Sequence, residues 1–121
     1  MTVQSYRQLI AWQKSFELVK LIYSTTKSFP KEEIYGLTSQ VKRAAVSVPS
    51  NIAEGQGRDS TKEFLHHLSI AYGSLMEVET QILIAESLEY LKSEETKLIL
   101  EKTAETGRLI NGLIRSLKNK I

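Results

Sequence analysis

From Ser60 to Tyr90 no proline interrupts the chain, and Phe64, Leu68, Ala71, Leu75, Val78, Ile82 and Ala85 recur at alternating spacings of four and three. That repeat keeps one face of an α-helix apolar and leaves the rest polar. A half-buried strand would alternate with a period of two, so this segment is not part of a sheet. Ser60-Thr61-Lys62-Glu63, just ahead of the run, has the form of a capping box. In such a box the hydroxyl and the carboxylate each satisfy an orphan N–H of the first turn. At ~1.5 Å per residue the helix is roughly 45 Å long. A helix with one apolar face is stable only when that face packs against something.

The rest of the chain supplies three further helices. The first is expected over about 6–28, with Ser5 as N-cap, a seam of Leu9, Trp12, Phe16, Val19 and Tyr23, and Phe29-Pro30 as its end. The second is expected over about 31–55. Pro30 suits its first turn, and Glu32 and Glu33 suit the positive end of its dipole. Its stripe is Ile34, Leu37, Val41, Ala44 or Ala45, Val48 and Ile52, and Gly55-Gln56-Gly57 offers a left-handed C-cap. The third runs over about 60–90. The fourth is expected over about 94–118, capped by Ser93, with Glu94 and Glu95 first and Lys118 and Lys120 near the end. Its seam is Ile110, Leu113, Leu117 and Ile121. The stretch from Thr103 to Gly107 is less apolar, and Gly107 and Gly112 weaken it further, so this helix is expected to be the least stable. Short connections make sequential helices antiparallel neighbours. The expected fold is all-α, one up-and-down antiparallel four-helix bundle over 1–121.

Several function classes recede on composition. The chain of 121 residues has no cysteine, which removes disulfides and thiolate chemistry and fits a reducing cytosol. Met1 to Gln8 is polar, without the apolar core of a leader, and nothing approaches the ~20 apolar residues of a membrane span. A soluble cytoplasmic protein with no membrane partner is expected. Sixteen basic and fourteen acidic side chains leave +2, so a nucleic-acid role needs a local patch rather than bulk charge.

No catalytic residue, metal site or cofactor is expected. A di-metal bundle needs two Glu-x-x-His motifs, and only Glu63-Phe64-Leu65-His66 has that form, because Phe64 stands three before His67. No strained nucleophile turn accompanies the serines. Gly55-x-Gly57 lacks the preceding strand of a phosphate loop, which favours a cap over an anion site.

The unusual segment is Ser47 to Gly55. Pro49 sits inside a helical pattern and should kink it. Asn51 and Glu54 lie on or beside the apolar stripe and must be hydrogen-bonded if buried. With Glu77 and Glu79, which follow the small pair Gly73-Ser74, they are expected to form a structural polar cluster, with Lys42 and Arg43 as counterions. Lys42, Arg43, Arg58, Lys62, Arg108, Arg115 and Lys118 are also the candidate nucleic-acid contacts. His66, His67 and Lys120 lie among them. Ile10, Leu18 and Leu21 fall roughly opposite the seam of the first helix and are expected to face another copy of the chain.

Three stretches carry a resemblance. They are Leu37-x-x-Gln40-x-Lys42-Arg43-Ala44-Ala45, the run from Ser47 through Val48-Pro49-Ser50-Asn51-Ile52-Ala53-Glu54 to Gly55, and Leu68 through Tyr72-Gly73-Ser74-Leu75-Met76-Glu77-Val78-Glu79 to Thr80. Together they resemble the bacterial four-helix-bundle family named for 23S ribosomal RNA intervening sequences, over nearly the whole chain. The resemblance implies an up-and-down bundle that assembles as a homopentamer. It also implies kinship with the accessory proteins of diversity-generating retroelements, which are basic pentameric barrels that engage a reverse transcriptase and nucleic acid. The expected function is therefore a non-enzymatic homo-oligomeric scaffold or adaptor with RNA or DNA as a partner. The alternative is a protein-interaction module with no nucleic-acid contact.

Overall fold

A computed structural model describes residues 5–120. Four α-helices make up the bundle: α1 Ile10–Thr25, α2 Leu37–Gln56, α3 Thr61–Ser87 and α4 Ser93–Lys118. Each packs on its two neighbours, α1 on α2, α2 on α3, α3 on α4, and α4 back on α1. The expected all-α up-and-down bundle is what forms.

Helix ends depart from the expected bounds for local reasons. Ser5 does cap, but it caps a 3₁₀ turn over Tyr6–Gln8: its Oγ accepts from the Arg7 N–H at 3.1 Å. Leu9 is extended, so α1 proper begins at Ile10. The segment before α2 is likewise a 3₁₀ turn, Lys31–Glu33, and α2 starts only at Leu37. There Glu33 Oε1 accepts from the Leu37 N–H at 2.9 Å, while its Oε2 accepts from the Tyr90 hydroxyl at 2.8 Å. One carboxylate thus ties the start of α2 to the α3–α4 connection. An added Cβ at Gly36 would stand 2.7 Å from that same Oε1, so glycine lets the carboxylate reach the helix end.

Ser60 caps α3 as expected, accepting from the Glu63 N–H at 3.0 Å, although the return bond from Glu63 is absent among the described residues. α3 ends at Ser87 with Glu89 in the left-handed region at φ 66°. The Tyr90 and Glu89 N–H groups donate to Ala85 O and Glu86 O at 2.8 and 2.9 Å, a Schellman ending built without glycine. Ser93 is the first residue of α4 rather than its cap. Glu95 supplies the cap from inside the helix, accepting from the Lys92 N–H at 3.1 Å.

The core corrects the reading of α1. Its buried face is Ala11, Ser15, Leu18 and Ile22, whereas Phe16 and Tyr23 are exposed and Trp12 and Val19 only half-buried. Leu18 is therefore core and does not belong to an outer stripe. Ile10 is exposed, and Leu21 is half-buried beside Leu98 of α4. Two apolar stripes share α1, and the set that lies inside, against α2 and α4, is the one without aromatic rings.

α4 buries Thr96, Ile99, Thr103, Thr106, Gly107 and Ile110. Its threonine hydroxyls donate to the carbonyls four residues back, at 3.1, 2.8 and 2.9 Å for Thr96, Thr103 and Thr106, so these polar groups cost no unmade bond. Gly107 lies against Leu75 and Tyr72 of α3, which aligns the two helices antiparallel. Leu113 and Leu117 are half-buried, and Ile121 lies outside the described residues.

Gly55 does not act as a left-handed cap. It is buried inside α2, and Gly57, at the C-cap, is right-handed. A Cβ at Gly55 would stand 2.7 Å from His67 Cβ and 3.0 Å from Phe64 Cδ1. Here α2 and α3 come too close for any side chain at position 55, and this sets the site described next.

Candidate functional site

Close approach at Gly55 lets short polar side chains of α2 and α3 meet. Asn51 Nδ2 donates to Ser47 O at 2.9 Å and to Ser47 Oγ at 3.0 Å. With the amide nitrogen so used, Asn51 Oδ1 is the acceptor facing His67 Nδ1 at 3.0 Å. His67 Nδ1 therefore carries a proton. Ser74 Oγ donates to Ser47 Oγ at 2.9 Å, closing a chain from His67 through Asn51 and Ser47 to Ser74. His67 Nε2 faces Glu54 Oε2 at 3.9 Å, and that oxygen accepts from Arg58 at 2.7 Å.

Of the expected polar cluster, Asn51 and Glu54 enter this network. Glu77 lies elsewhere, exposed along a groove further toward the start of α2, and Glu79 is half-buried on α3. Neither is recorded in an ion pair among the described residues. Gly73 is not a point of close approach, since nothing lies within 4 Å of a Cβ built there. Its neighbour Ser74 is the buried member of the pair. His67 and Ser47 were missed as partners. The signal available was the Ser47/Asn51 spacing of four, which stacks two hydrogen-bonding side chains on one helix face.

The candidate basic residues separate into groups. Lys42 turns toward α1, its Nζ 4.7 Å from the centre of the Tyr23 ring, while Arg43 lines the α2–α3 groove. Arg58 and Lys62 flank the α2–α3 turn, at the end of the bundle to which antiparallel pairing also brings the close of α4 with Arg115 and Lys118. Arg108 is exposed on α4. Glu54, Asp59 and Glu63 share that end, so it is basic by a margin rather than uniformly.

A second surface is apolar. Tyr6, Trp12, Phe16 and Val19 on the α1 side face Val46, Pro49 and Ala53 of α2 across an open groove of about 300 Å³. Tyr6 packs edge-on to Trp12, with ring centres 5.2 Å apart, and Trp12 against Phe16 at 5.0 Å. α2 runs through Pro49 as one helix, and the proline is buried at the base of this groove. Among the described residues, no group of three or more His, Cys, Asp or Glu is placed to hold a metal ion, and no helix is long and apolar enough to cross a membrane.

These features define a small all-α four-helix-bundle protein whose surfaces of interest are grooves between neighbouring helices. The chain belongs to the 23S rRNA-intervening sequence protein family, whose model matches residues 7–112. A solved structure from Bacteroides thetaiotaomicron, a protein of unknown function from the S23 ribosomal protein family, has the same fold. It is 24% identical, covers 87% of this chain and 98% of its own, and superposes with a TM-score of 0.81. No curated protein is significantly similar to the chain.

Proposed function

We propose that this chain is a non-enzymatic subunit of a homo-oligomeric scaffold or adaptor, with RNA or DNA as the partner of its basic end. The observation that carries the reading is the apolar α1–α2 groove. Phe16 and Val46 are 48% and 39% exposed there, beside the half-buried Trp12 and Val19. Contiguous exposed apolar surface of this kind marks an interaction site. A different set, Ile70 and Ile84 of α3 with its C-cap Leu88, is exposed on one side of that helix. Two unlike apolar faces favour head-to-tail contacts, which close into rings, over a two-fold dimer. Five copies is the number that the family resemblance implies. Repetition around a ring would also multiply the weak basic margin at the α2–α3 turn and the end of α4.

Light scattering coupled to gel filtration tests the assembly. The wild type is expected as an oligomer and Phe16→Glu as a folded species of lower mass. A wild-type monomer would overturn the reading. The nucleic-acid half predicts binding that weakens steeply with salt, because phosphate contacts release counterions. Absence of binding at low salt would leave a scaffold that engages protein alone.

A further inference from the structure

We propose that the face formed by α1 and α4 pairs with the same face of a second copy of the chain across a two-fold axis. The two helices carry one pattern twice. Ile10, Lys14, Glu17 and Leu21 follow one another on α1 at spacings of four, three and four, and Leu98, Lys102, Glu105 and Leu109 repeat those residue types and spacings on α4. Such spacings keep each set on one stripe of its helix. Burial keeps the same register. Ala11, Ser15, Leu18 and Ile22 are buried on α1, and so are Ile99, Thr103, Thr106 and Ile110, which stand at the matching places on α4.

The two stripes meet in antiparallel order. Lys14 and Glu17 share a groove with Lys102 and Glu105, Leu21 lies beside Leu98, and further along Thr25 and Lys27 meet Glu95. That register sets Glu17 opposite Lys102 and Lys14 opposite Glu105. The face is thus a checkerboard of four charges, with Leu21 and Leu98 at one end and Ile10 and Leu109 at the other. Ile10 and Leu21, expected from the sequence to face another copy, are its apolar members on α1. Ile10 and Leu98 are 58% and 45% exposed, apolar surface that the bundle leaves uncovered. Among the described residues, the one ion pair on this face is Lys14 with Glu17, along α1 at 3.9 Å, and none joins α1 to α4.

A second copy is the occupant that this surface matches, because a two-fold contact requires a self-complementary patch. With the axis in the interface and along the helices, Glu17 of one copy meets Lys102 of the other, Lys14 meets Glu105, Leu21 meets Leu98 and Ile10 meets Leu109. With the axis across the helices, Glu17 meets Lys14, Lys102 meets Glu105, and the apolar ends again meet each other. In either arrangement every charge faces its opposite. Exposed charge pairs are individually weak, so the dimer is expected to be of low affinity and sensitive to salt. The contact is separate from the head-to-tail assembly proposed above and does not depend on it. The α1–α2 groove and the α3 stripe flank α2, which in a ring would turn α2 toward the axis and leave the α1–α4 face outside.

Sedimentation equilibrium of the full chain carrying Phe16→Glu, up to millimolar concentration and at rising salt, reads this contact with the head-to-tail one weakened. A monomer–dimer equilibrium is expected, shifting to monomer as salt rises. In the same background, Lys14→Glu with Lys102→Glu makes the checkerboard wholly acidic, and Glu17→Lys with Glu105→Lys makes it wholly basic. Each pair of changes should weaken self-pairing at least about tenfold with an unchanged circular dichroism spectrum, and an equal mixture of the two proteins should pair again. That recovery separates lost complementarity from misfolding. No dimer at millimolar concentration, a dimer indifferent to both reversals, or a mixture that stays monomeric would overturn the proposal. The two proposals fail separately: an oligomeric wild type whose Phe16→Glu form stays monomeric sinks this contact alone, and a wild type that reaches only a dimer, lost on charge reversal, sinks the ring alone.

Discussion

Replacing Gly55 by alanine is expected to destabilise the bundle, and the same replacement at Gly73 to stabilise it. Both glycines lie inside helices, where alanine is favoured by up to about 1 kcal/mol. At Gly73 nothing lies within 4 Å of the new methyl group, so that gain should appear almost whole. At Gly55 the methyl meets His67 Cβ at 2.7 Å, where ordinary contact begins at 3.4 Å. A Cβ atom is bonded directly to its backbone and cannot swing aside, so α2 and α3 must part. Overpacking of this kind costs about 1–3 kcal/mol. Parting also stretches the 3.0 Å bond between Asn51 and His67, at a further cost of about 1 kcal/mol if it is lost. The two variants should therefore differ by about 2–4 kcal/mol in favour of Gly73→Ala. With an m-value of about 1.5 kcal/mol/M in urea, that is a separation of more than about 1 M between their midpoints. Unfolding followed by circular dichroism, at several protein concentrations to separate folding from association, gives the comparison. If Gly55→Ala has a midpoint equal to or above that of the wild type at unchanged m, the close approach of α2 and α3 is wrong.

Leu18→Ala should cost about 2–5 kcal/mol, as for a buried leucine, measured in the Phe16→Glu background so that association does not mask the loss; a cost near zero would return Leu18 to the outer face. Glu89→Gly should raise stability by about 1 kcal/mol by relieving the left-handed φ, read as a higher thermal midpoint. Glu33 is held below the ordinary carboxylate value of 4.5, first by the Leu37 N–H and then by the Tyr90 hydroxyl. Its contribution is present above that value and is lost as the pH falls through the lowered one, so Glu33→Gln should flatten this part of the acid limb of stability. Tyr90 is held above its ordinary value of 10.0, chiefly by its bond to Glu33, so its contribution is lost at the alkaline end as the pH rises through that raised value. A Tyr90→Phe protein with an unchanged alkaline limb would speak against the bond.

Much of the helical architecture was legible in residue order. The α3 stripe from Leu68 to Ala85 is buried as its alternating spacing requires, and Ser60 caps the helix that it precedes. These features are local: a cap acts within one turn, and a spacing of three and four selects a face without reference to any partner. The α1 stripe was not legible, because Ala11, Ser15, Leu18 and Ile22 compete with Trp12, Phe16, Val19 and Tyr23 on the same helix. Hydrophobicity favours the aromatic set, while the space left by the two neighbouring helices, α2 and α4, admits the other one.

The candidate site divides in the same way. That Asn51 needs a partner follows from its place beside an apolar stripe. That the partners are Ser47 and His67 depends on how close α3 comes at Gly55, and no spacing within α2 encodes that distance. Lys42 and Arg43 are adjacent in the chain and part company in space, one over the Tyr23 ring and one in the α2–α3 groove, because successive helical residues point about 100° apart. The chain by itself determined four helices, their order and half of their ends, since caps, prolines and periodicity act over a few residues. Which apolar stripe of α1 lies inside, and which polar residues meet between α2 and α3, only the tertiary structure decided, because both are settled by the space one helix leaves for another.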